Sequence, residues 1–220
     1  RVALEVVPDA AAIIRSMVTM TYTDGRRLRE VLPEDLYWQT AEALEALGMP
    51  EPAYRDFKPW AAVTLLSVPP GQGDEFLDLR LYRAALAGGK EIAGLETMQE
   101  QLAIFDDMSL CDQTALLAET LATRDALPTL FEDLTRAYLA GDLDALMARR
   151  QRYLADGDPR ISALFWSTAV DSRNQRMADR MAPLLDAGGW FIAVGALHLP
   201  GAGGILQRLQ ERGYQVRAVD

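Results

Sequence analysis

His198 is the only histidine among 220 residues, and it ends the apolar run Gly189-Trp190-Phe191-Ile192-Ala193-Val194-Gly195-Ala196-Leu197-His198. An imidazole can take and give protons near neutrality and is the commonest nitrogen ligand for metals. Glu5 stands near the end of a second apolar run, Val2-Ala3-Leu4-Glu5-Val6, and Glu96 closes a third, Ile92-Ala93-Gly94-Leu95-Glu96. Two carboxylates and an imidazole on one edge would serve as a general acid–base set, or as hard-to-borderline ligands for a divalent metal. Taken singly, each Glu reads more readily as a helix cap or ion-pair partner, and the histidine equally as a loop residue held by a backbone carbonyl; three at three strand ends favour a shared site. Arg173-Asn174 adds a guanidinium able to clamp a carboxylate or steady a developing oxyanion, although by default such a pair is solvated helix surface. Gln99 and Gln101 divide in the same way between site lining and helix surface. One imidazole is too few for a two-histidine metal site, and one cysteine cannot build a Cys-rich one.

For these side chains to meet, the three runs must be neighbouring strands with their carboxyl ends on one edge, where open α/β sheets gather ligands and catalytic groups. Residues 2–7 form a β-branched run closed by Pro8, and Asp9 is placed to cap a helix beginning at Ala10. Asp24-Gly25 marks a turn. Pro33-Glu34-Asp35 opens a helix carrying Leu36, Trp38, Leu44 and Leu47 near one face, and Gly48 stops it. Residues 50–57 and 59–66 read as short helices, residues 68–74 as a Pro/Gly loop, and residues 75–86 as a helix ended by Gly88-Gly89. A strand at 90–96 completes one α/β step. Residues 97–154 are helical in pattern, with Gly141-Asp142 as turn and N-cap. A long helix at 159–185 leads to the histidine strand at 190–194, and Gly203-Gly204 opens a helix to Arg212. Residues 213–219 are expected to close the sheet as a final strand. The expected fold is α/β: one domain over residues 1–220, with a central mixed, largely parallel sheet, flanking helices and a large helical insertion at about 97–185.

Half of the residues are hydrophobic, enough for a sizeable core. With 32 acidic against 22 basic residues the net charge is -10, which argues against nucleic acid as a partner because phosphate binding needs clustered Lys and Arg. Cys111 cannot form an intramolecular disulfide and reads as a small buried hydrophobe. The apolar runs all fall short of the roughly 20 residues a bilayer requires, so no transmembrane span is expected. The strand-like start at Arg1, with no basic-then-apolar leader, is expected to follow upstream residues that include any targeting signal.

Four stretches resemble the TraB/GumN family, which includes the Tiki proteins. These are Leu4-Glu5-Val6 with Pro8-Asp9; Lys90 through Gly94-Leu95-Glu96-Thr97 to Glu100-Gln101-Leu102; Arg173-Asn174 with Met177-Ala178; and Val194-Gly195-Ala196-Leu197-His198-Leu199-Pro200-Gly201 with Gly213-Tyr214 after it. Lys58-Pro59-Trp60-Ala61 and Tyr138-Leu139-Ala140-Gly141-Asp142 are similar too, so the resemblance covers nearly the whole chain. It implies a fold related to the erythromycin esterase and ChaN-like proteins, with a site built from two G-x-x-H motifs, a glutamate and an arginine. It assigns His198 to the second of those motifs, Glu5 to the strand-end glutamate and Arg173 to the helix arginine, and makes Glu96 a motif residue. The first G-x-x-H motif is expected upstream of Arg1. Where the family often has an acid before Arg-Asn, this chain has Ser172, with Asp171 one place earlier.

The resemblance implies a metal-dependent hydrolase of peptidase type, exported to the periplasm and acting on a peptide or small-molecule substrate. In that reading His198 and Glu5 are ligands of a divalent metal (Mn, Co or Zn), Glu5 alternatively being the general base. Arg173 steadies the oxyanion, and Glu96 and Asn174 contact substrate. A close variant is a metal-free, esterase-like enzyme using His198 and Glu5 as base and orienter. Two readings from other classes share the fold: a non-catalytic protein binding haem or a small molecule through His198, and an accessory factor in envelope polysaccharide biogenesis.

Overall fold

The computed structural model describes residues 1–69, 76–155 and 157–219. Among them, β1 (Val2–Val6) is the middle strand of a three-stranded sheet, between β2 (Ile92–Glu96) and β3 (Phe191–Ala193). Both pairings are parallel, so the sheet is parallel throughout rather than mixed. Leu4 lies opposite Gly94 on one side and Ala193 on the other, and Val6 lies opposite Glu96. That register brings Glu5, Glu96 and the exit of β3 to a common edge.

After β1, Asp9 caps α1 (Ala10–Thr19), its carboxylate accepting the Ala12 N–H at 2.6 Å. Then come α2 (Leu28–Val31), α3 (Glu34–Glu45), α4 (Glu51–Tyr54), α5 (Pro59–Leu66) and α6 (Leu77–Ala87). Between β2 and β3 the described elements are all helical: α7 (Met98–Asp106), α8 (Leu110–Thr123), α9 (Leu127–Leu139), α10 (Leu143–Ala155), α11 (Pro159–Trp166) and α12 (Ser172–Ala187), with short 3-10 and π turns among them. α13 (Ile205–Glu211) follows β3. The loop expected at 68–74 lies, from residue 70 onward, outside the described residues.

Two cores hold these elements. Ala3, Leu95, Met177, Met181, Ile205 and Leu209 join the sheet to α12 and α13. Strand alternation turns Leu4 to the opposite face, where it is fully buried, and α6 packs on β1 and β2. The second core is helical and centres on Leu28, Leu36, Leu44, Tyr54, Leu66 and Leu117. In α3, Tyr37 rather than Trp38 shares that core, and Trp38 is exposed; at 100° per residue Trp38 lies about 200° around the helix from Leu36. Trp60 is fully buried, and its indole N–H donates to Asp106 Oδ1 at 3.0 Å, the same oxygen that takes the Lys58 ammonium at 2.6 Å. This links α5 to α7.

Three further expectations need correction. The long helix at 159–185 is interrupted: a π turn at Ser167–Asp171 separates α11 from α12. Residues 213–219 form no strand. Tyr214 is instead drawn onto α12, its phenol donating to the Ala182 carbonyl at 3.1 Å and to Asp186 at 2.6 Å, while β3 offers an edge only three residues long. Cys111 is exposed rather than buried, because it lies in the first turn of α8 while Gln113, Leu117 and Thr120 carry that helix's buried face.

Candidate functional site

The short loop after β3 turns at Gly195 and delivers His198 on a single 3-10 turn, Ala196–His198. Gly195 has close neighbours: a Cβ there would sit 3.2 Å from Glu5 Oε1 and 3.5 Å from His198 Cδ2. A side chain would therefore press on both groups, and the bare backbone lets the Gly195 N–H donate to Glu5 Oε1 at 2.5 Å.

Arg173 is the hub. Its Nη2 donates to Glu5 Oε2 at 2.5 Å, its Nε to Glu96 Oε2 at 2.8 Å, and its Nη1 to the Ala169 carbonyl at 3.2 Å. Nη1 also lies 3.1 Å from His198 Nε2. Gln101 donates to Glu5 Oε2 at 3.2 Å and reaches Glu96 Oε2 at 3.5 Å. The Glu96 carboxylate is entirely inaccessible; its Oε1 faces Arg176 Nε at 3.3 Å and accepts no hydrogen bond.

On the other side of the ring, His198 Nδ1 lies 2.7 Å from Asn174 Oδ1, while Asn174 Nδ2 donates to the Gly203 carbonyl at 2.9 Å. These bonds define a tautomer. The carbonyl of Gly203 can only accept, which turns Asn174 Oδ1 toward the ring and makes Nδ1 the protonated nitrogen. Nε2 then presents its lone pair to Arg173. Burial is the largest influence on the imidazole and, with help from Arg173 and against the pull of Glu5, lowers its pKa to about 4. Burial pushes Glu5 up, but Arg173, the Gly195 N–H and His198 together outweigh it and hold the carboxyl below its ordinary range. The site at neutral pH therefore holds an ionised Glu5 and a neutral His198.

A further set of bonds steadies the end of β2. Thr97 and Glu100 form a reciprocal cap at the start of α7, and Arg180 holds both Glu100 oxygens at 2.7 and 2.8 Å while donating to the Leu95 carbonyl at 2.7 Å. The Arg180 and Thr97 contacts draw Glu100 down to about 2. Glu5, His198 and Gly195 open onto a pocket of about 370 Å³ whose far wall comes from α9 and α10.

The structure thus brings together Glu5, Glu96, Arg173, Asn174, His198 and Gln101. It leaves Gln99 on the surface, beside α1. Arg173 and Asn174, which sequence alone assigns by default to solvated surface, are buried. Arg176 and the Gly195 amide were not anticipated; the spacing of Arg176, three residues after Arg173 on one helix face, was the available signal. As to a metal, His198 Nε2 and Glu5 Oε1 are 3.8 Å apart, and Asn174 fixes the imidazole as outer-shell partners of metal-bound histidines do. Among the described residues, however, no three His, Cys, Asp or Glu side chains gather into a metal-holding group, and Arg173 already engages both donors. These two donors suit a divalent ion in kind but fall short of the three protein ligands of a catalytic zinc site.

No helix among the described residues is long and apolar enough to cross a membrane. The chain is 25% identical to the Xenopus tropicalis protein named metalloprotease TIKI2 and 24% identical to human metalloprotease TIKI1, with 87% of this chain covered in each case. It is 26% identical to Danio rerio metalloprotease TIKI2 over 66% of its length. The alignments cover 46%, 48% and 32% of those proteins, so the chain spans about half or less of the relatives it matches. No solved structure matches it. The profile of the TraB/PrgY/gumN family matches residues 1–218, and the chain belongs to that family.

Proposed function

We propose that this chain contributes the glutamate, arginine and histidine of a hydrolase active site that cleaves peptide bonds. The observation that carries this reading is the convergence of an ionised Glu5 and a neutral His198, 3.8 Å apart, at the mouth of one pocket. The names of the TIKI relatives support the peptidase class and a metal requirement. Glu5 is the general base: Gly195 N–H and Arg173 hold its carboxylate in place, and it accepts a proton from water. His198, with its proton fixed on Nδ1 by Asn174, turns the Nε2 lone pair toward Arg173, which would have to yield it to a metal or substrate. Arg173 opposes negative charge developing on the substrate carbonyl, a role for which a delocalised cation set by two carboxylates is preorganised. Glu96, shut away from the pocket, positions Arg173 instead of touching substrate, and Asn174 positions His198. A divalent ion bound to His198 Nε2 and Glu5 would supply Lewis-acid polarisation and a more acidic water.

Elemental analysis and peptide hydrolysis by the full-length protein, wild type against His198→Ala, test the reading. Near-stoichiometric Mn, Co or Zn together with hydrolysis, both lost in the variant, is the expected result. Hydrolysis without metal in the wild type would assign Glu5 and His198 to a metal-free esterase-like mechanism. A variant that keeps its hydrolytic activity would sink the assignment of His198.

A further inference from the structure

The pocket that opens beside Glu5 and His198 has a distinct chemistry. One wall is the loop after β3, with Ala196 and Leu197; the opposite wall is α9, with Leu134, Thr135 and Tyr138 at positions i, i+1 and i+4; Leu146 of α10 supplies further lining. Leu146 is 3% exposed and belongs to the packed interior. Among the described residues, the ionisable groups at the lining besides the Tyr138 phenol are Glu5 and His198. The Glu5 carboxylate is already paired with Arg173 and the Gly195 N–H, and the His198 ring is engaged on both nitrogens, by Asn174 and by Arg173. Of the charges on this part of α9, Asp133 and Arg136 are paired with each other, and Asp133 also with Arg149.

We infer that this pocket is the subsite for an apolar side chain, of the size of leucine, methionine or phenylalanine, on the residue next to the cleaved bond. The inference rests on the proposed peptide hydrolysis and names its substrate class. The volume of about 370 Å³ lies at the small end for ligand pockets and suits one side chain rather than a large cofactor. A lysine or aspartate side chain would meet no free counter-charge among the described lining residues, and an ion buried without a partner carries a heavy desolvation cost. Tyr138, half exposed at the rim, presents a ring face against which an apolar group can pack. Because Glu5 and His198 line the same pocket, a side chain lodged against Leu134 and Leu146 holds its own backbone beside the proposed base.

The test uses the full-length protein and blocked hexapeptides differing at one position, which is Leu, Phe, Ala, Asp or Lys. Cleavage next to Leu or Phe is expected to exceed cleavage next to Ala by about tenfold or more in kcat/KM, with Asp and Lys slower still. In Leu134→Asp and Tyr138→Ala the Leu-to-Ala ratio is expected to fall to within about threefold. A ratio taken on one enzyme preparation is unaffected by partial loss of folded protein. Leu139→Ser, at a 77% exposed position of the same helix outside the pocket, should keep the wild-type ratio. Equal cleavage of all five peptides by the wild type, or an unaltered ratio in both pocket variants, overturns the subsite. If the wild type cleaves none of them, peptide hydrolysis itself fails and the pocket is judged by NMR titration with N-acetyl-leucine amide and N-acetyl-lysine amide. Shifts of the Leu134 and Leu146 methyls with the leucine compound alone support it; no shift with either overturns it.

Discussion

Arg173 cannot be exchanged for another cation without dismantling the site. Its three nitrogens address Glu96, His198 with the Ala169 carbonyl, and Glu5, and only a planar guanidinium reaches three directions at fixed angles; an ammonium is a single point. The same planar group acts with Asn174 in placing the proton of His198, since a donor facing Nε2 favours a lone pair there while the Asn174 carbonyl oxygen faces Nδ1. A nitrogen-detected NMR titration of these 220 residues reads this directly, since they hold a single histidine with a single pair of ring signals. The expected spectrum shows Nδ1 protonated and Nε2 bare at neutral pH, with a midpoint near 4, and Asn174→Ala should mix the tautomers. A midpoint close to the ordinary 6.5 or a proton on Nε2 in the wild type would contradict the hydrogen-bond ring.

Where β2 becomes α7, a short strand exit is converted into a rigid joint. Thr97 accepts the Glu100 N–H at 3.2 Å and Glu100 accepts the Thr97 N–H at 2.8 Å, closing a capping box that Arg180 then ties to α12. Removing the hydroxyl in Thr97→Ala is expected to cost about 1 kcal/mol in urea unfolding at unchanged m-value; a change below a few tenths would mean that Arg180 alone holds the joint. Signals of this local kind were legible in the chain. Asp9, Pro8 and the glycine pairs announce their boundaries through their own backbone chemistry, and the three apolar runs ending in Glu5, Glu96 and His198 pointed to a common edge. Non-local features were not legible. The π turn at Ser167–Asp171 leaves a helical pattern on both sides and no breaker between. Residues 213–219 have the composition of a strand, and only the pull of Ala182 and Asp186 on Tyr214 shows that they pack without pairing. Leu134, Tyr138 and Leu146 look like ordinary helix positions until the chain folds them against a histidine more than fifty residues later.

At the scale of the whole molecule the buried site makes the fold sensitive to acid. His198 is held at about 4 in the folded protein against 6.5 unperturbed, so between those values the unfolded chain binds a proton that the native one refuses. Stability therefore rises with pH across this window and falls as pH drops through it. The full difference is on the order of 3 kcal/mol by the free energy of a pKa unit. Glu5 and Glu100 act in the same direction lower down: both are depressed when folded, so their contribution is present above the ordinary carboxylate value and is lost as pH falls, for Glu100 toward about 2. Asp78 and Glu119 work the other way, since burial raises both and their protonation relieves a cost. Among these 220 residues the share of the slope between pH 6.5 and 4.5 that His198 supplies steepens the loss on acidification, while Asp78 and Glu119, raised by burial, work against it in the same interval. Thermal melts at half-unit steps should show Tm declining over that interval in the wild type, and His198→Asn, which lacks the titrating group, should flatten the decline even if its Tm at pH 7 is lower. An equal slope in the variant would assign the acid sensitivity to the carboxylates and remove His198 from the balance between the folded and unfolded chain.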